Sequence, residues 1–190
     1  MTPHISYGRP GDIQLANIML AGNSEMVIFR FRKELIDALR EKGHRVYVSF
    51  PQSVFGDGHT AAKNAGCHYI NTPIASHGTN PFTDLRLLRS YTQILRENRI
   101  DMLFTYTIKP NIYGGIAASR CGVPYVMNIS GLGTAVENPG ILQYITLRLY
   151  RIAARKAQKI FFQNSENRAF FQKHGIAAAR QGLLPGSGVN

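Results

Sequence analysis

Apolar residues occur along this chain in short runs that alternate with stretches of helical spacing, each closed by a glycine. Leu15–Ala21 (LANIMLA) is an unbroken apolar run that stops at Gly22 and Asn23, as a strand buried on both faces does. Ile28, Phe31, Leu35, Ala38 and Leu39 then recur every three or four residues, which predicts a helix over 27–42 with Gly43 as its left-handed cap. Arg45–Phe50 (RVYVSF) predicts the next strand, 60–65 a short helix and His68–Asn71 a third strand. Asn80 and Pro81 suit the N-cap and first position of a helix reaching Asn98, with Phe82, Leu85, Leu88, Thr92 and Leu95 facing the sheet. Asp101–Thr105 is the next strand. After Pro139 and Gly140 a helix is predicted over 141–158, a strand over 159–163 and a helix over 166–174, stopped by Gly175.

The same punctuation recurs in EKGHRVYVSF, KNAGCHYINT and SRCGVPYVMN, where a helix end and a glycine precede a β-branched or aromatic run. Helix, glycine, strand in repetition predicts an α/β fold, a doubly wound and mainly parallel sheet of about six strands with helices on both faces. The expected organisation is a flexible segment over 1–14, one domain over 15–182 and an exit segment over 183–190. Thr105–Val136 is the centre of this plan: a strand end, a loop carrying Lys109, a small-residue helix, a further strand and a glycine loop. Two strand ends opening into such loops side by side form the place where open α/β sheets bind ligands.

Composition sharpens the picture. The chain has 190 residues, 44% hydrophobic and 17% charged, enough for one ordinary core. Lys plus Arg number 22 against 11 Asp plus Glu, a net charge of +11, which favours anionic partners: nucleic acid, anionic lipid or phosphorylated substrates. Cys67 and Cys121 lie in no CxxC or Cys/His pattern, and the six histidines are scattered, so no metal is expected. No apolar run is long enough to span a bilayer, and the first residues lack a signal core. Part of the charge clusters: Arg148, Arg151, Arg155 and Lys159 fall within an arc of about 80° on a helix. Ile141, Tyr144, Ile145 and Ile152 project beside them, while Leu142, Leu149, Ala153 and Ala157 turn toward the core. Basic residues mixed with exposed aliphatics suit a surface resting on anionic lipid headgroups; a solvated basic helix face is the plainer alternative.

Four stretches carry a family resemblance: ANIMLAGNSEMVIFRFRKELIDALREKGHRVYV, YTIKPNIYGGIAA, NISGLGTA, and FFQNSENRAFF followed by LLPGSGVN. Over Leu15–Asn190 the chain resembles the N-terminal half of a GT-B glycosyltransferase of the GT4 type, in the branch that builds bacterial capsule and lipopolysaccharide. The resemblance implies a Rossmann-like, acceptor-side domain of a retaining enzyme that moves a sugar from a nucleotide-diphosphate sugar to a lipid-linked or saccharide acceptor. It also implies work at the inner face of the cytoplasmic membrane, without a cofactor or metal. LLPGSGVN resembles the crossing into a second, donor-binding half, and no Glu pair separated by seven residues is present, so this chain alone is expected to be inactive.

The resemblance places the loop Gly22, Asn23, Ser24 and Glu25 across the cleft from a donor diphosphate, although an ordinary βα turn reads the same way. Lys109, ahead of Pro110 and a helix start, suits an anionic group such as a diphosphate-linked acceptor; an exposed lysine without a ligand is the alternative. Asn111 and Tyr113 are further candidates that equally suit capping or packing. The resemblance also places Ser130, Gly131 and Gly133 in a cleft loop, where glycine allows close backbone approach. Several relatives have a histidine near this point, where this chain has Asn128 and Ser130, so no catalytic residue is assigned. Glu25 and Glu137 are the only carboxylates expected near the loops. Two other function classes remain open: a non-catalytic, membrane-recruiting subunit of a split glycosyltransferase, and a basic nucleic-acid-binding domain. RNP-like, KH-like and zinc-finger patterns are all absent, so no nucleic-acid partner is expected.

Overall fold

The computed structural model describes residues 15–53, 56–74, 80–133, 136, 138–176 and 180–184. The 1–14 segment, residues 75–79 of the third loop, Glu137 and the end of the exit segment lie outside the described residues. The strands are β1 (Asn17–Ala21), β2 (Arg45–Phe50), β3 (His68–Asn71), β4 (Met102–Tyr106), β5 (Tyr125–Ile129), β6 (Lys159–Phe162) and β7 (Gln181–Leu183). Between them run α1 (Glu25–Phe29), α2 (Lys33–Glu41), α3 (Gly58–Asn64), α4 (Pro81–Glu97), α5 (Gly115–Cys121), α6 (Ile141–Ala154) and α7 (Ser165–Lys173). A single π turn over Pro110–Gly114 leads into α5. Every pairing is parallel, and the order is β3-β2-β1-β4-β5-β6-β7. This is the α/β, Rossmann-like sheet that the glycine punctuation predicts.

Alternation along the strands builds two cores. Met19, Ala21, Leu103, Tyr125, Met127 and Ile160 face one side with residues from α4 to α7. Ile18, Leu20, Val46, Val48 and Phe50 face the other with Ile28, Ile36 and Ala62. Strand β1 is therefore apolar on both faces, which is why it reads as a continuous run rather than an alternating one.

Four expectations are corrected. The helix predicted over 27–42 is two helices, with a break at residues 30–32. There the Arg32 side chain is buried, its guanidinium 4.4 Å from the centre of the Tyr106 ring and donating to the Phe31 carbonyl. The turn that buries Arg32 resets the helical phase, so Ile36 points inward and Ala38 outward. Helix α4 begins as predicted, with the Asn80 side chain accepting from the Phe82 N–H at 3.0 Å. Its inward positions are Asp84, Leu87, Leu88, Tyr91, Ile94 and Leu95, while Phe82 and Leu85 are exposed.

Helix α6 ends at Ala154, short of the predicted 158. Tyr125 donates to the Ala153 oxygen near its end, and just beyond it Arg180 donates to the Arg155 and Ala157 oxygens at 3.0 and 2.8 Å. Leu142, expected in the core, is exposed, and Thr146, Leu147 and Tyr150 are buried instead. Finally, β7 is a seventh strand where the exit segment was expected to begin. It pairs Gln181 with Ile160, and the Leu184 N–H donates to the Phe162 oxygen at 2.8 Å.

Candidate functional site

Parallel strands end at one edge, so the loops after β1, β4 and β5 open side by side. The chain runs outward from β1 through β2 to β3 and then returns to β4, so β1 and β4 flank the point where the winding direction reverses. That crevice is where doubly wound sheets take ligands. The loops after β4 and β5 also touch: a Cβ on Gly133, which has φ +66°, would lie 2.7 Å from Ile108 Cδ1. Glycine is favoured there by its left-handed conformation, whereas the Ile108 methyl, at the end of a flexible side chain, could shift to admit a Cβ. Gly131 has nothing within 4 Å of a Cβ, and Ser130 is exposed.

After β1, the Gly22 N–H donates to the Ser49 carbonyl at 2.9 Å. A Cβ on Gly22 would meet Ile28 Cδ1 at 3.0 Å, so this residue lets the turn close onto α1. Asn23 is exposed. The Ser24 Oγ accepts from the Val27 N–H at 3.3 Å and so caps α1. The Glu25 carboxylate lies against the loop after β2, within 2.8 Å of where a Gly56 Cβ would stand.

The loop after β4 carries the densest polar arrangement. Lys109 does not stand free. Its Nζ donates to Asp84 Oδ1 at 2.9 Å, with side-chain exposures of 17% and 10% for Lys109 and Asp84. The Tyr113 hydroxyl donates to the other carboxylate oxygen, Asp84 Oδ2, at 2.8 Å. Burial pushes the Tyr113 hydroxyl well above its ordinary pKa, and the Asp84 hydrogen bond and charge push it further, so it stays a donor. Asn111 is buried. Its oxygen accepts from the Thr105 hydroxyl at 2.7 Å and its nitrogen donates to the Asn128 carbonyl at 2.9 Å, tying β4 to β5 beneath the loops.

Two residues at this edge, Asp84 and Thr107, escaped sequence reasoning, and a third, Asn128, reads from sequence only as standing where several relatives have a histidine. Asp84 belongs to α4, 25 residues before Lys109, and reads from sequence as an ordinary first-turn acid. It adds a carboxylate to the two expected near the loops. Thr107 has φ +68°, a left-handed conformation that is costly for a β-branched residue, and its Oγ1 is buried without a partner. The Asn128 Oδ1 is also buried without a partner, on the residue paired with Tyr106 across β4 and β5. No sequence signal marks backbone strain at a threonine, whereas Asp84 is recoverable from the helical period once its phase is set by Leu87, Leu88 and Tyr91.

Elsewhere, Arg148, Arg151, Arg155 and Lys159 are all exposed. Arg148 stands 6.0 Å from the Tyr144 ring centre and Arg151 donates to the His174 carbonyl at 2.8 Å. Arg155 caps the end of α6, and Lys159 opens β6. Ile141, Tyr144, Ile145 and Ile152 are exposed beside them. Among the described residues no helix is long and apolar enough to cross a membrane, and no three His, Cys, Asp or Glu side chains gather as a metal would need.

Comparison with known proteins fits this geometry. The family described as "Glycosyl transferase 4-like domain" matches residues 30–186. A Campylobacter jejuni N,N'-diacetylbacillosaminyl-diphospho-undecaprenol alpha-1,3-N-acetylgalactosaminyltransferase is 23% identical over 168 residues, 86% of this chain and 44% of that protein. HepE of Anabaena, solved with UDP and glucose, superposes with TM-score 0.61 at 16% identity, covering 89% of this chain and 44% of its own. The UDP-GlcNAc 2-epimerase of Neisseria meningitidis superposes at 0.64 with 11% identity, over 90% of this chain and 47% of the other. The chain thus spans less than half the length of these proteins, and the structural likenesses establish the fold.

Proposed function

Because the chain belongs to the glycosyl transferase 4-like domain family, we propose that it is the acceptor-side, N-terminal half of a retaining glycosyltransferase. The reaction proposed is transfer of a sugar from a nucleotide-diphosphate sugar to a lipid-linked or saccharide acceptor in bacterial surface polysaccharide synthesis. The observation that carries this is the convergence of three loops at the reversal between β1 and β4, with Lys109 held there by Asp84. A departing diphosphate needs backbone N–H groups and cations near its developing charge. Residues 22–25 and 130–133 offer backbone to a donor bound by a second half, and Lys109 offers the cation. Asn111 acts from below, by fixing β4 against β5.

The relatives support the substrate class: one is a diphospho-undecaprenol sugar transferase, and another is solved with UDP and glucose. The exposed Arg148, Arg151, Arg155 and Lys159, with Ile145 and Ile152 between them, would rest on the anionic inner face of the membrane, where a polyprenyl carrier is presented. The test is to titrate the 190-residue chain with a polyprenyl-diphosphate sugar in nanodiscs and with UDP-sugars, following both binding and transfer. The acceptor is expected to bind, and no sugar is expected to be transferred by this chain alone. Binding of UDP-sugars with no binding of the acceptor overturns the assignment. A second reading, a membrane-recruiting subunit of a split glycosyltransferase, draws on the apolar and basic residues of α6. It predicts vesicle binding that persists with unchanged affinity when no acceptor lipid is present.

A further inference from the structure

A cavity of about 660 Å³ opens between the ends of β2 and β3 and the first half of α4, next to the loops already described. Its volume is that of an ordinary small-molecule site. One wall is apolar, from Pro73, Ile74 and Leu87; the other presents Gln52, Asn71 and Asp84, with the exposed Arg86 at its edge. Asp84 joins this cavity to the reversal point. Its residue is 7% exposed, it lines the cavity, and the same carboxylate takes the Lys109 ammonium and the Tyr113 hydroxyl.

The hydrogen-bond count at Asp84 points to the occupant. An ionised carboxylate offers about four acceptor positions, and each oxygen here has one partner among the described residues. The remaining capacity belongs to a carboxylate withdrawn from bulk water, which needs donors to offset that loss. Lys109 and Tyr113 belong to the segment after β4, and Asp84 also lines the cavity, so a ligand seated there can supply further donors. The Gln52 N–H donates to the Asn71 oxygen at 3.0 Å, which orients the Asn71 amide at the same rim. Below it, the Ser49 and Thr72 hydroxyls share a buried hydrogen bond of 2.7 Å that fixes β2 to β3. A fixed carboxylate and two amides opposite a wall of proline, isoleucine and leucine suit a neutral polyol with apolar ring faces. The buried Asp84 charge opposes an anion there, and the Arg86 guanidinium on the lining is exposed to water, which weakens its pull.

We propose that this cavity seats the terminal sugar ring of the acceptor, with Asp84 accepting hydrogen bonds from its hydroxyls and with Lys109 and Tyr113 as the positioning residues that aim the carboxylate. This rests on the acceptor-side function proposed above and adds a location and a ligand chemistry to it. Lys109 thereby acts on the acceptor through Asp84 as well as by its charge.

The test is a ¹⁵N–¹H titration of the chain with the methyl glycosides of glucose, galactose and N-acetylgalactosamine, with inorganic phosphate as the contrasting probe. At least one glycoside should shift the amides of Asn71, Asp84 and Leu87, and phosphate should not. Asp84→Asn is expected to weaken glycoside binding about tenfold, the loss of one charge-assisted hydrogen bond. Lys109→Met should weaken it several-fold and Lys109→Arg should restore most of the loss, a rescue that a purely structural lysine would not require. If Asp84→Asn fails to fold, Asn71→Ala at the rim serves instead, and unchanged glycoside affinity in it overturns the seat. A polyprenyl-diphosphate sugar separates the two proposals. Should it bind while shifting only the 107–109 and 130–133 loops, the acceptor-side function stands and the cavity is wrong. Should neither it nor any glycoside bind, both fall.

Discussion

Asp84 occupies a helix position whose period calls for an apolar side chain, and its two partners are what make that tolerable. Removing it leaves an ammonium and a phenol facing each other in a largely dry pocket, so Asp84→Ala should destabilise the fold by about 2–4 kcal/mol. Lys109→Met should cost less, because the carboxylate keeps Tyr113, and the double variant should be more stable than the sum of the two losses predicts. Urea denaturation of the four species closes that cycle. Glycines offer a second contrast at this scale. Gly133 has φ +66° and Ile108 within 2.7 Å of a Cβ, whereas Gly131 has open space around it. Gly133→Ala is expected to lower stability by about 1–3 kcal/mol and to disturb the loop after β4, while Gly131→Ala stays within about 0.5 kcal/mol of the parent. Thermal melting distinguishes these outcomes.

Among the elements, α6 has the most consequential outer face. Each basic side chain near an anionic bilayer contributes about 1 kcal/mol, so Arg148→Gln with Arg155→Gln should weaken binding to vesicles containing anionic lipid roughly thirtyfold. Arg151 is left in place because its guanidinium also holds the His174 carbonyl. Co-sedimentation with neutral and anionic vesicles reads the difference, and equal binding by parent and variant would remove the membrane from the account. The elements also show what a linear pattern reveals. Strands β1 to β6 and the glycine caps were legible because short apolar runs and left-handed turns leave local marks; Gly43, for one, has φ +83°.

Helix phase was less legible. In α4, Phe82 and Leu85 suggested a face one residue away from the true one, because the inward position of the first turn is held by Asp84. In the 27–42 stretch, nothing local announces that Arg32 folds over Tyr106, a partner from a strand far along the chain. Strand β7 is three residues long and owes its existence to the β6 edge rather than to its own sequence. The loops after β1, β4 and β5 therefore share one sheet edge as expected, while the partner that holds Lys109 is hidden behind a phase error of a single position.

For the molecule as a whole, buried phenols set an upper limit on pH. Burial raises the hydroxyls of Tyr91, Tyr106, Tyr113, Tyr125 and Tyr150 above their ordinary 10.0, with Tyr106 and Tyr125 pushed up to about 12. At Tyr106 the nearby Arg32 charge offsets part of the burial effect. A raised folded value means that stability is complete below pH 10 and falls as pH rises past it, by about 1.4 kcal/mol per pH unit for each tyrosine still protonated in the fold. Unfolding should therefore set in between pH 10 and 12, and the part of the tyrosinate absorbance that comes from these five side chains should appear together with the loss of helical circular dichroism. The absence of tryptophan from the chain leaves that absorbance uncluttered. Ionisation of more than the four tyrosines outside this set, of the nine in the chain, before the helices melt would contradict the burial of these side chains.

The order of the sheet has one more consequence, for biosynthesis. Asn17 and Asp101, which join the two central strands at their start, are 84 residues apart. A ribosome needs on the order of ten seconds to cover that distance. Throughout that time the first strand can pair only with β2, and its other edge waits unprotected as the nascent chain lengthens. Synonymous codons that slow translation between β2 and β4 should thus raise the fraction lost to aggregates.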